Sequence, residues 1–183
     1  MFTLIVGGAA SGKSELAESM ILAAPARPRI YLATMQVYDA ESRARVAKHR
    51  AMRAAKEFIT IERYSDLAGL RLPEELLCGA VLVECLSNLA ANELYDPADW
   101  SQNDPAIALD AIVSGILSLR GQCRELVVVS NEVFSGGTDY APGTESYLRL
   151  LADANRLLAA QADRVAEAVC GLAVWHKGEG KAL

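Results

Sequence analysis

A single α/β domain, built as a mostly parallel sheet with helices on both faces, is what this sequence predicts. Three observations carry that expectation. Apolar runs such as Ala80-Val81-Leu82-Val83 and Leu126-Val127-Val128-Val129 lack polar alternation, as strands buried on both faces do. Segments of helical character separate these runs, the pattern of parallel strands joined by crossover helices. Finally, Gly7-Gly8-Ala9-Ala10-Ser11-Gly12-Lys13-Ser14 fits G-x-x-x-x-G-K-[ST] and stands between the first strand and the first helix.

In chain order, Phe2-Thr3-Leu4-Ile5-Val6 reads as a buried strand and Glu15 to Leu22 as the helix after the glycine-rich loop. Arg29 to Thr34 reads as a second strand, following a proline-bearing turn from Ala24 to Pro28. Asp39 is placed to N-cap a helix running to about Ala55. Phe58 to Ile61 is a short strand, and Leu76 to Glu84 carries the next buried one, with a helix to about Leu94. A polar connection over 95–105 ends in Asp104-Pro105, an N-cap followed by an N1 proline, and opens a helix ending near Gly121. After Leu126 to Ser130, the clearest core strand, a loop opens at Ser135-Gly136-Gly137 and closes near Gly143. Thr144 is expected to start a long helix, and Val165 to Val169 and Leu172 to Trp175 to form two final strands. No repeat or domain break interrupts 1–183, so one nucleotide-binding domain is expected.

Bulk properties narrow the function. The chain is 52% hydrophobic and 22% charged, as a globular protein is. Its net charge of -5 disfavours a nucleic-acid surface. Cys78, Cys85, Cys123 and Cys170 form no C-x-x-C pair and read as reduced cytosolic thiols, not as a zinc site. No apolar run approaches the length of a membrane span, and the N-terminal run is too short for a secretory signal, so a cytoplasmic protein is expected.

The glycine-rich loop carries the first chemistry. Its glycines let backbone N–H groups close around phosphate oxygens, and the following helix adds the positive end of its dipole. Gly7, Gly8, Ala9, Ala10, Ser11, Gly12, Lys13 and Ser14 are therefore candidate nucleotide-binding residues. Lys13 would reach the β- and γ-phosphates, and the Ser14 hydroxyl would bind Mg²⁺. The loop and the sheet together predict a P-loop NTPase-like, RecA-type fold, with ligands at the carboxyl ends of the strands.

Glu84 ends a buried strand, where a carboxylate commonly holds the Mg²⁺ of a phosphate-loop enzyme. Glu132 is a second candidate, and for both an ordinary polar strand end is the alternative. Arg45, His49 and Arg53 fall at i, i+4 and i+8 and share one helix face. Such a stripe suits a phosphate group, and Lys48 and Arg50 nearby would favour the neutral, nucleophilic imidazole. Spacing alone fits a solvated basic face at least as well. Asn92 and Asn155 read as surface or cap residues, and His176, in an apparent tail, receives no role.

These blocks together resemble the bifunctional adenosylcobinamide kinase / adenosylcobinamide-phosphate guanylyltransferase family of cobalamin biosynthesis. The resemblance runs through the phosphate loop, Tyr31-Leu32-Ala33-Thr34, Asp39-Ala40-Glu41, and Arg45 to Arg53 around His49. It continues through Thr60-Ile61-Glu62, Val81 to Ser87 with Asn92, and Val129-Ser130-Asn131-Glu132-Val133 with Asn155. It implies phosphorylation of the adenosylcobinamide side-chain hydroxyl, then GMP transfer from GTP through a guanylylated histidine, matched here by His49. It further implies nucleotide contacts at Ala33, Thr34, Met35, Arg50, Ala51, Met52, Arg53, Glu62 and Glu84, a Mg²⁺ requirement, GTP or ATP as substrate, and a homotrimer. The chain departs from the family pattern at Ala10, usually Arg, and after Glu132-Val133, where Phe134-Ser135-Gly136-Gly137 replaces G-x-G-x-V-P. A kinase of another small alcohol and a non-catalytic nucleotide-binding paralogue are the rival readings.

Overall fold

The computed structural model describes residues 1–37, 56–134 and 141–178. The helix expected from Asp39 to about Ala55, with Arg45, His49, Arg50, Ala51, Met52 and Arg53, lies outside the described residues, as do Ser135, Gly136 and Gly137.

Seven strands form one sheet. They are β1 (Phe2–Gly7), β2 (Arg29–Ala33), β3 (Phe58–Glu62), β4 (Ala80–Glu84), β5 (Glu125–Asn131), β6 (Arg164–Val169) and β7 (Leu172–Lys177), in the order β3-β2-β4-β5-β1-β6-β7. The first six are mutually parallel, and β7 returns antiparallel along β6. The described α-helices are α1 (Lys13–Ala23), α2 (Leu86–Leu94), α3 (Pro105–Arg120) and α4 (Pro142–Gln161).

Strand alternation sends successive side chains to opposite faces, and in the central strands both faces are buried. Phe2, Leu4, Ile30, Leu32, Val81, Val83, Leu126 and Val128 pack in one cluster with Leu86, Leu89, Ile112, Ile116, Leu151 and Leu158 of α2, α3 and α4. Ile5, Tyr31, Leu82, Val127 and Val129 face the other way, onto Leu16, Ala17 and Ile21 of α1. The fold is thus the expected one, a mostly parallel sheet with helices on both faces. The predicted cap of α3 is also present: the Asp104 carboxylate accepts from the Ala106 amide at 2.8 Å, with Pro105 in the first turn.

Two boundaries differ from expectation. α4 begins at Pro142, not at Thr144; proline at the first helical position sacrifices no hydrogen bond, and Gly143 falls inside the first turn. His176 lies within β7, not in a tail, and its ring sits 3.2 Å from the Glu167 carboxylate on the neighbouring strand.

Candidate phosphate-binding site

The loop from Gly7 to Gly12 joins the carboxyl end of β1 to α1 and is held from three sides. The Glu132 amide donates to the Gly7 carbonyl at 2.9 Å, and the Ser11 amide to the Gly8 carbonyl at 3.3 Å. The Gly171 amide, from the turn between β6 and β7, donates to the Ser11 carbonyl at 2.9 Å. Backbone carbonyls thereby take the tethers. Ala10 and Gly12 are left-handed, with φ 56 and 86, a mixture of backbone hands that turns successive amides to one side as an anion nest. α1 begins without a side-chain cap, so the N–H groups of its first turn have no partner within the helix.

Gly12 is required twice over. A Cβ there would lie 2.8 Å from the Gly171 Cα, a backbone atom that cannot swing aside. The left-handed φ alone costs about 1–2 kcal/mol in any residue with a Cβ. Gly12→Ala is expected to lower the thermal midpoint by several degrees and to loosen nucleotide binding with it. A calorimetric scan with and without nucleotide checks both effects.

Lys13 folds back over the loop, with Nζ donating to the Gly8 carbonyl at 2.9 Å. One of its three donors is used there. The Ser14 hydroxyl donates to Glu84 Oε1 at 2.5 Å, which joins the loop to the carboxyl end of β4. Glu84 Oε2 is buried and has no hydrogen-bond partner among the described residues. A buried, unsatisfied carboxylate oxygen is costly unless a cation or donor arrives. A hydroxyl that gives its proton to that carboxylate keeps its own lone pairs for the same cation. Hard oxygen donors of this kind suit Mg²⁺, so Ser14 and Glu84 fit the implied ion.

Strand register arranges the remaining candidates. Ala33 pairs with Glu62 on one side and Glu84 on the other, so all three share the α1 face at the carboxyl edge. Two strand spacings, about 10 Å, separate the backbones of Glu62 and Glu84. Glu62 accepts from the Tyr64 hydroxyl at 2.9 Å. Thr34 is fully buried, its hydroxyl donating to the Cys85 carbonyl at 2.7 Å and its amide to the Glu84 carbonyl at 3.1 Å. Met35 follows it, partly exposed, on the same edge. The structure therefore brings together Gly7 to Ser14 and Glu84, and lines Ala33, Thr34, Met35 and Glu62 along the sheet edge beside them. Glu132 stands near as well, its amide on the loop and its carboxylate accepting from the Phe134 amide at 2.9 Å.

Sequence reading misplaced Asn92. It is no surface residue: its side-chain amide donates to the Thr34 carbonyl at 2.8 Å and to the Tyr64 carbonyl at 2.9 Å, tying together the segments after β2 and β3. Asn155 is likewise not a surface contact, its Oδ1 being buried without a partner among the described residues. Cys85, next to Glu84, is no thiolate. Burial pushes its pKa up, and the bond with the Ser87 hydroxyl offsets this only in part.

Glu84→Gln keeps the volume of the side chain and removes its charge. The expected outcome is a weaker dependence of nucleotide binding on Mg²⁺ with little change in fold. A Mg²⁺ titration of nucleotide affinity checks it, and an unchanged curve would make Glu84 a structural strand end.

The sequence model of the family described as cobinamide kinase / cobinamide phosphate guanyltransferase matches residues 3–175. The chain is 30% identical over 181 residues to the bifunctional adenosylcobalamin biosynthesis protein CobU of Escherichia coli, across 95% of this chain and 98% of that one. It is 34% identical over 181 residues to the bifunctional adenosylcobalamin biosynthesis protein CobP of Pseudomonas aeruginosa, across 98% and 99%. Among solved structures, it is similar to the flagellar accessory protein FlaH from Methanocaldococcus jannaschii, with TM-score 0.46 and 14% identity over 96% of this chain and 77% of that one.

Proposed function

The chain belongs to the cobinamide kinase / cobinamide phosphate guanyltransferase family, and from that membership we propose that it performs both reactions. It phosphorylates the side-chain hydroxyl of adenosylcobinamide with GTP or ATP. It then transfers GMP from GTP to the resulting phosphate, by way of GMP carried on His49, giving adenosylcobinamide-GDP. The observation that carries the kinase half is the Ser14–Glu84 bond at the mouth of an intact phosphate loop. It supports the reading because a hydroxyl and a carboxylate joined beside the loop would suit a cation that neutralises nucleotide phosphates.

The proposed roles are these. Amides of the loop from Gly7 to Gly12 and of the first turn of α1 hold phosphate oxygens. Lys13 leaves the Gly8 carbonyl for the β- and γ-phosphates, placing positive charge where negative charge develops. Ser14 and Glu84 would hold Mg²⁺, which supplies charge neutralisation across the phosphates when bound. Ala33, Thr34, Met35 and Glu62 bound the nucleotide along the sheet edge. The committed hydroxyl of Thr34 leaves backbone and shape as its means of contact. Arg50, Ala51, Met52 and Arg53 are assigned to the nucleotide site by family resemblance alone, which is also the ground for a homotrimer.

Incubation with labelled GTP and Mg²⁺, followed by intact-mass measurement, tests the reading. One GMP per chain is expected, discharged on addition of cobinamide phosphate. Nucleotide turnover without an adduct would reduce the protein to a kinase of another small alcohol. Binding with neither would leave a non-catalytic paralogue.

A further inference from the structure

An aromatic cavity of about 380 Å³ lies on the other side of the carboxyl edge, lined by Ala91, Tyr95, Trp100, Thr144 and Tyr147. Its walls are fixed by their own polar atoms. The Tyr95 hydroxyl donates to the Gly143 carbonyl at 2.5 Å and the Tyr147 hydroxyl to the Ser87 carbonyl at 3.3 Å. Desolvation pushes the Tyr147 phenol up to about 12, so it stays a neutral donor at physiological pH. Both rings are thus held at their tips, with their faces left to line the cavity.

Trp100 is the unusual member. It is 61% exposed, yet the loop that presents it is heavily tethered. Its amide donates to the Asp96 carbonyl at 2.8 Å, and the Asp96 amide to the Ser101 carbonyl at 2.9 Å. The Asp96 carboxylate accepts from the Ala98 amide at 2.8 Å, and the Asp99 carboxylate from the Ser101 amide at 2.9 Å. The Asn103 amide closes the base on the Leu94 carbonyl at 2.7 Å. Trp100 itself is left-handed at φ 59, which costs energy in a bulky residue and persists where surrounding structure enforces it. Trp100 therefore stands exposed on a fixed loop, at the rim of the same cavity as Tyr95 and Tyr147.

A chain of hydrogen bonds runs from the cavity wall toward the carboxyl ends of β4 and β5. Ser87, which anchors Tyr147, begins three residues after Glu84, and its hydroxyl accepts from the Asn131 side chain at 2.7 Å at the end of β5. One continuous edge therefore carries the cation-binding pair and the aromatic walls.

We propose that Tyr95, Trp100 and Tyr147 form the acceptor-substrate site, packing against the methyl-bearing rim of the corrin ring of cobinamide. This rests on the function proposed above. A corrin is a broad macrocycle with an alkyl-rich rim and amide arms. The cavity admits one edge of it, leaving the hydroxyl-bearing arm free to extend along the sheet edge toward the phosphate loop. Packing on rings held in advance adds affinity without the entropy of ordering them.

The test uses full-length protein in which Trp175→Phe leaves Trp100 as the one indole of the two. Cobinamide, whose near-ultraviolet absorption overlaps indole emission, should quench Trp100 fluorescence saturably, whereas GTP should not. Trp100→Ala should raise KM for cobinamide about threefold to tenfold, the worth of one aromatic contact. Trp100→Phe should recover most of it, and KM for nucleotide should stay within twofold. A rise in nucleotide KM instead would give the pocket to the base. A shift in oligomeric state on size exclusion would give it to a second copy of the chain. An unchanged cobinamide KM with a fully active wild type would also overturn the proposal. Wild type inactive on cobinamide would instead strike the function proposed above.

Discussion

Lys13→Ala is expected to cut nucleotide turnover by about 10²–10³, the usual cost of removing one charge-stabilising group from a dry site. The Lys13 ammonium donates to the Gly8 carbonyl of its own loop, and the core packs on Leu16, Ala17 and Ile21 further along α1. The fold should therefore survive, and the thermal midpoint without nucleotide should move by no more than a few degrees. Nucleotide affinity and turnover should both fall, because no other Lys or Arg lies within the loop sequence from Gly7 to Ser14. Lys13→Arg should rescue little, since a planar guanidinium is a poor replacement for a compact ammonium held against a tight loop. Retention of wild-type turnover by Lys13→Ala would remove the phosphate-loop assignment.

Parts of this architecture were legible because their signals are local. The runs in β4 and β5 read as strands because parallel strands are buried on both faces and need no alternation. Asp104 and Pro105 read as a helix start because capping is decided within four residues. Glu84 stood out as a carboxylate ending an apolar run, and the structure gives it the Ser14 hydroxyl as partner.

What escaped was non-local or chemically ambiguous. Asn92 joins segments 58 and 28 residues away in sequence, and no periodicity marks such a contact. Pro142-Gly143 reads as a loop, but proline at a helix start and a glycine whose carbonyl receives the Tyr95 hydroxyl are both compatible with the first turn. β7 was blurred because Leu172 and Val174, on one face of it, are 71% and 45% exposed, so its pattern does not point inward to a core. The buttress that Gly171 gives the phosphate loop was invisible for the same reason, since a Cys-Gly turn announces a hairpin and not what the hairpin touches.

His49→Ala carries the second large expectation: loss of the GMP adduct and of guanylyl transfer, with phosphorylation retained at least in part. The proposed step is attack by a neutral imidazole nitrogen on the α-phosphorus of GTP. A nitrogen–phosphorus bond forms, the bond to the bridging oxygen breaks, pyrophosphate leaves with the electron pair, and the ring's other nitrogen releases its proton. Neutral imidazole is the competent form, so cationic neighbours that favour it also hold the anion. Arg45 and Arg53 stand four residues to either side of His49 in the sequence, with Lys48 and Arg50 its immediate neighbours. The bond to a histidine nitrogen is labile in acid and stable in base, so the wild-type adduct should disappear on acid treatment and persist in alkali. Phosphoryl transfer to a hydroxyl needs Lys13 and the cation pair of Ser14 and Glu84, but no covalent histidine, so the two activities should separate in this one variant. An adduct persisting in His49→Ala would move the nucleophile elsewhere. An adduct stable to acid and cleaved by base would indicate a different linkage, and the guanylyl-histidine step would fall with it.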